Sequence, residues 1–246
     1  MLTTVLSGQS GYMLPLRRLY PLIAGTGMLV GSVLLAAGQF GAPTGRIVDL
    51  TIGRYAALDQ DGYTAIAMAL FGLSALALLA GMRAVRAPVS GWPERLMLGW
   101  AGALTGAAVM PGTAAADVLV VAALMCLAGA SGLMARRFGE DARWRAAARP
   151  LEWLALGAGG GLAVLIYVTL PGHEVMIGLV EWVLFGIDVA VLAVPLVHLA
   201  RTAWLEHAAA GAVETATRSA LETATRSALE TATRSTGRAT AVLSRH

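Results

Sequence analysis

The stretch Gly178 to Leu199 (GLVEWVLFGIDVAVLAVPLVHL) constrains this chain most, because it is a long apolar run with an acid at its centre. Roughly 20 apolar residues rising 1.5 Å each cross the ~30 Å hydrocarbon core of a bilayer. Asp188, at the midpoint, costs about 2.5–3.5 kcal/mol if it faces lipid, so it is expected to face the interior of a helix bundle. Glu181 lies seven residues before it and Pro195 seven after, which puts all three near one side of the helix. The proline also frees the carbonyl one turn earlier, at Val191.

The rest of the chain fits that environment. It is 57% hydrophobic and 13% charged, against about a quarter charged in a soluble domain. All 18 basic residues are arginine. A chain without lysine cannot form a Schiff base with retinal or pyridoxal phosphate, and it has no Walker-type phosphate loop. The one cysteine, Cys126, lies in an apolar run and reads as a small buried hydrophobe.

Six apolar runs follow one another, at about 20–40, 64–82, 96–110, 116–134, 151–170 and 178–199. The first is too long for a signal-peptide core and has no small-residue cleavage site behind it. Arg17-Arg18 before it reads as a cytoplasmic anchor more readily than as a twin-arginine export signal. The third run is short and closes on Pro111-Gly112; the fifth closes on Pro171-Gly172. Gly41 to Tyr63 is a polar connection between the first two.

Arginine alternates between the two ends of these runs. The N-terminus, the second and fourth loops and Arg201 hold eleven arginines; the first, third and fifth loops hold only Arg46 and Arg54. Arginine-rich loops stay inside, so both termini are expected in the cytoplasm. The expected fold is therefore all-α, a polytopic integral membrane bundle of six transmembrane helices. It comprises a cytoplasmic N-terminus (1–19), a membrane domain (20–201) and a cytoplasmic tail (202–246). Arg143 and Arg145 flank Trp144 in the fourth loop and serve as topology determinants or as contacts to anionic headgroups.

Glycines recur at four-residue spacing: Gly27 and Gly31, Gly102 and Gly106, Gly157 and Gly161. Small side chains let helix backbones approach in lipid, so these pairs are candidate packing faces, within the chain or toward another subunit. The tail repeats an octad: AVETATRS from Ala212, then ALETATRS from Ala220 and Ala228. Glu214 and Arg218, Glu222 and Arg226, and Glu230 and Arg234 sit at i,i+4. An octad overshoots two turns by about 80°, so Val213, Leu221 and Leu229 form no coiled-coil stripe. A solvated helix or disorder is expected there, with a binding arm as the other reading.

Asp188 carries the main functional question, with Glu181 beside it nearer the outer surface. One reading makes Asp188 a proton or cation site. The other makes it a protonated acid that staples helices through a hydrogen bond, with Thr105, Tyr167 and Ser74 as partners in reach. His198 has no second intramembrane histidine at its depth, so a bis-histidine haem is not expected, and it reads as a cap at the helix end. Asp117 and Glu152 stand at helix starts, where acids are favourable. No nucleophile elbow, HExxH, CxxC or glycine-rich nucleotide loop occurs. No enzyme activity, cofactor, metal or nucleic-acid partner is expected.

Four segments carry a family resemblance: IVDLTIGRY (Ile47 to Tyr55), ALFGLSALALLAGMR (Ala69 to Arg83), LTGAAVMPGT (Leu104 to Thr113) and GLVEWVLFGIDVAVL (Gly178 to Leu192). Over residues 20 to 201 the chain resembles the bacterial membrane family catalogued as domain of unknown function 998. Val48 stands where that pattern has serine, and Glu181-Trp182 where a basic residue is common. The resemblance implies a six-span helical fold and no established activity. The leading expectation is a non-catalytic accessory or structural subunit of a larger assembly in the bacterial inner membrane, with lipids and other membrane subunits as partners. The alternative is a small proton-coupled transporter or channel built on Asp188.

Overall fold

A computed structural model of the chain describes residues 10–40, 51–59, 61–169 and 177–243. Every element among them is an α-helix: α1 (Ser10–Phe40), α2 (Ile52–Leu58), α3 (Tyr63–Ala84), α4 (Trp92–Val109), α5 (Ala114–Glu140), α6 (Arg145–Val168) and α7 (Ile177–Leu243). Five stretches are long and apolar enough to cross a membrane: Leu19–Gly38, Tyr63–Ala84, Ala114–Glu140, Arg145–Val168 and Ile177–Leu205. The third apolar run lies in α4, which is not one of the five, since its first turn is Trp92-Pro93-Glu94-Arg95.

The helices are longer than the apolar runs that announced them. Continuing α5 to Glu140 places Arg136 and Arg137 in its last turns, where cations meet the exposed carbonyls of a helix C-terminus. Arg145 and Arg149, read from sequence as loop residues, belong to α6, which starts before Pro150 and carries that proline within it. α2 stands inside the polar connection. Its buried residues among those described, Ile52, Tyr55 and Ala56, are too few to give a hydrophobic period, and packing holds it as about two turns of helix.

Residues 1–200 form one compact unit. Within it α1 packs on α3, α3 on α4, α4 on α5 and α5 on α6. The first stretch of α7 closes the bundle against several of these helices: Leu196 lies at Gly25 of α1, Leu199 at Gly81 of α3 and Ile187 at Gly157 of α6. α3 is the most enclosed of the five membrane-length helices, with 56% of its most apolar 18-residue stretch buried, against 17% for the corresponding stretch of α6. Phe71 and Phe185 meet edge to face at 5.3 Å where α3 faces α7.

Both chain reversals beside α4 rely on left-handed backbone. Gly91, the residue before α4, has φ 87°, and Gly112 after it has φ 76°. A Cβ on Gly112 would also come within 2.6 Å of Ala57 Cβ, so the α4–α5 turn lies directly on α2. At the other reversal the Arg83 guanidinium pairs with Glu94, and Arg137 donates to the Ser90 carbonyl.

Residues 201–246 form a second unit. It is helical to Leu243, and every described side chain from 211 to 226 is exposed. Thr215, Thr217, Thr223 and Thr225 each turn their hydroxyl to the carbonyl four residues earlier. Those bonds let the threonine-rich octads satisfy themselves along their own helix.

Candidate functional site

The two intramembrane acids are both deeply buried, Asp188 at 1% and Glu181 at 3% exposure. Seven residues of helix separate them by about 10 Å along the axis. Leu184 and Phe185 lie between them and are also buried, so the carboxyls share a face without sharing a site.

Asp188 is held by α4. The Trp100 indole Nε1–H donates to Asp188 Oδ2 at 3.1 Å, and Trp100 is itself fully buried. Asp188 Oδ1 has no hydrogen-bond partner among the described residues. Two of the partners expected from sequence point elsewhere: Thr105 Oγ1 donates to its own helix at Ala101 O, and Ser74 Oγ to Leu70 O. Tyr167 is exposed near the end of α6. Trp100 escaped notice because it lies in a tryptophan-, glycine- and alanine-containing stretch without polar character; the signal that could have found it is that a buried indole needs an acceptor.

Glu181 is held by α2. The backbone N–H of Ile52 donates to Glu181 Oε2 at 2.8 Å. Ile52 is the first residue of α2, so the carboxylate satisfies one of the donors that a helix start leaves open. Thr51 caps the same end, its hydroxyl accepting from Arg54 N–H and donating to Asp117 Oδ1 at 2.9 Å. Asp117, in the first turn of α5, also lies 3.8 Å from the Arg54 guanidinium. The short helix is thus tied to α7 through Glu181 and to α5 through Asp117.

Tyr55 completes the attachment. Its hydroxyl donates to Gly38 O at 2.8 Å, and its ring meets Trp182 edge-on at 5.7 Å. Burial pushes the Tyr55 phenol above its ordinary value, and the charge of Asp59 adds to the shift. Trp182 Nε1 is buried without a partner among the described residues.

His198 does not end its helix, as the sequence reading had it, because α7 runs on beyond it. Its Nε2 donates to the Arg143 carbonyl at 3.0 Å, and its ring lies 4.7 Å from the buried Trp144. It pins α7 to the turn between α5 and α6. Among the described residues no three His, Cys, Asp or Glu side chains come together as a metal site. Glu152 is exposed on α6, and Cys126 is half-buried with its sulfur facing Gly99.

The paired glycines divide. A Cβ on Gly31 would sit 3.2 Å from the Phe71 ring, and one on Gly27 would strike the Ser74 hydroxyl, so this pair brings α1 onto α3. Gly157 and Gly161 face Ile187 and Leu184 of α7, and Gly106 faces Leu119 of α5. Gly102 faces nothing within 4 Å among the described residues. The closest backbone approach is at Gly72, unpaired in the sequence pattern, where a Cβ would lie 2.9 Å from the Ala101 carbonyl oxygen. No family model, curated protein or solved structure gives a significant match to this chain.

Proposed function

We propose that this chain is a non-catalytic membrane protein of six spans, α4 being the sixth, that serves as an accessory or structural subunit of a larger membrane assembly. The observation that carries the reading is the use made of the two intramembrane carboxyls. Each accepts an N–H from another element of the same chain, Glu181 from Ile52 and Asp188 from Trp100. Ser74 and Ser131, also buried, donate to carbonyls of their own helices. One oxygen of each carboxyl thus ties its helix to another element of the bundle.

Counting α4 as a span is supported by its position between α3 and α5 and by its buried Met97, Trp100, Leu104 and Ala107. The resemblance to domain of unknown function 998 points to the same number. The arginine distribution supports cytoplasmic termini. α1 supports the subunit role: Leu22, Ile23, Leu29, Val30 and Val33 leave it an apolar face turned away from the chain, available to a partner helix as well as to lipid.

One observation favours transport instead. Asp188 Oδ1 is buried without a partner among the described residues, as a proton- or cation-binding oxygen would be between loading events. Asp188→Asn separates the two. A subunit carrying it co-purifies with the same partners as the parent chain, whereas a transporter carrying it loses proton-linked flux in proteoliposomes. Flux that Asp188 supports and Asn abolishes overturns the subunit reading.

A further inference from the structure

We propose that the outward face of α6 binds an anionic phospholipid of the leaflet at its Arg145 end. The phosphate lies between Arg145 and Arg149, and an acyl chain runs along Trp153, Leu156 and Gly160. The inference rests on α6 spanning the membrane; it does not depend on what the chain assembles with.

At 100° per residue, Arg145, Arg149, Trp153, Leu156, Gly160 and Tyr167 fall within about 80° of arc. All six are exposed. The buried residues of the same helix, Ala147, Leu151, Ala158 and Leu165, fall on the opposite side. Sequence and burial therefore define one continuous outward stripe.

The chemistry along the stripe follows the order of a phospholipid. Two guanidiniums stand one turn apart, and neither belongs to the ion pairs found among the described residues, Arg54–Asp117 and Arg83–Glu94. Guanidiniums so placed can share one phosphate. Trp153, 71% exposed, follows one turn further, where an amphipathic ring suits the headgroup boundary. Leu156 then presents an apolar wall, 65% exposed, and Gly160 a gap in which a Cβ would meet nothing within 4 Å. Trp153 to Val164 measures about 16 Å, half of a ~30 Å hydrocarbon core and so the depth of one leaflet. Glu152 is exposed at the edge of this arc and leaves the site with a net positive charge, which favours an anionic over a zwitterionic lipid.

The test is native mass spectrometry of the full chain released from nanodiscs made of equal parts phosphatidylglycerol and phosphatidylcholine. The parent protein is expected to retain phosphatidylglycerol selectively. Replacing both arginines (Arg145→Gln with Arg149→Gln) should lower that retention about 30-fold, whereas Lys at both positions should keep most of it. Gly160→Phe, which fills the gap and leaves the charges alone, should lower it several-fold. Arg86→Gln with Arg136→Gln, exposed arginines on other elements, should change nothing. Undiminished retention in the double Gln variant would overturn the proposal, and so would equal loss in the Arg86 and Arg136 variant. Full displacement of the lipid by chain-free glycerophosphoglycerol would identify a soluble phosphate ester as the ligand and overturn it too, as would a stripe occupied by a second copy of the chain.

Discussion

Trp100 and Asp188 meet across the contact of α4 with α7, indole N–H to carboxyl oxygen at 3.1 Å, and neither is more than 1% exposed. α4 falls outside the five membrane-length stretches, and this bond fixes it to the chain's most informative acid. Trp100→Phe leaves Asp188 buried with neither oxygen paired. We expect it to cost about 1–3 kcal/mol, read as a fall of several degrees in the melting temperature of the detergent-solubilised protein. With Asp188→Leu added, the loss should be smaller than the sum of the two single losses, because no orphaned polar group remains. Strict additivity would show that the two side chains are not coupled.

Glu181 makes a different prediction. Glu181→Ala removes the acceptor for Ile52 N–H and loosens α2 while leaving the membrane-length helices in place. Hydrogen exchange should rise by about tenfold or more over Ile52–Leu58, as expected for a lost bond of ~1–3 kcal/mol, and stay unchanged in α3. Equal acceleration in both helices would mean that Glu181 supports the whole bundle.

Two glycines in neighbouring helices should respond oppositely. At Gly72 the obstacle to a Cβ is the Ala101 backbone, which cannot step aside, so Gly72→Ala should destabilise by about 1–3 kcal/mol. Gly102→Ala meets nothing and should be neutral or gain up to ~1 kcal/mol from helix propensity. Thermal melts of the two variants in one detergent decide the matter.

Tyr55 gives the fold an alkaline limit. Its phenol is raised above an ordinary value of 10.0 by burial and by Asp59, so the folded protein holds that proton more tightly than the unfolded chain. The resulting stability is complete below pH 10 and is lost as pH climbs past it. Tyr55→Phe should lower stability by about 1 kcal/mol at pH 8, through the lost bond to Gly38 O, and should shrink the further loss between pH 8 and pH 11. An unchanged alkaline loss would place its origin in other groups.

Much of this was legible in the residues because a bilayer leaves few choices. Long apolar runs must be helices, and the acids within them must turn inward, as Asp188 and Glu181 do. Arg145 and Arg149 were misplaced because polarity marks the edge of a membrane core, not the end of a helix, and α6 begins before its apolar stretch. α2 was invisible because its stability comes from Glu181, Asp117 and Gly38, all distant in sequence. The same reason hid Trp100: a run of letters states that Asp188 needs a donor, but only the crossing of α4 with α7 says which one.

The subunit role is tested most directly by the native mass of the protein extracted gently from its own membrane, with mass spectrometry of everything that travels with it. A particle far heavier than 25.4 kDa plus detergent, holding foreign chains in fixed stoichiometry, is the expected result. A monomer or homo-oligomer free of other chains would contradict it.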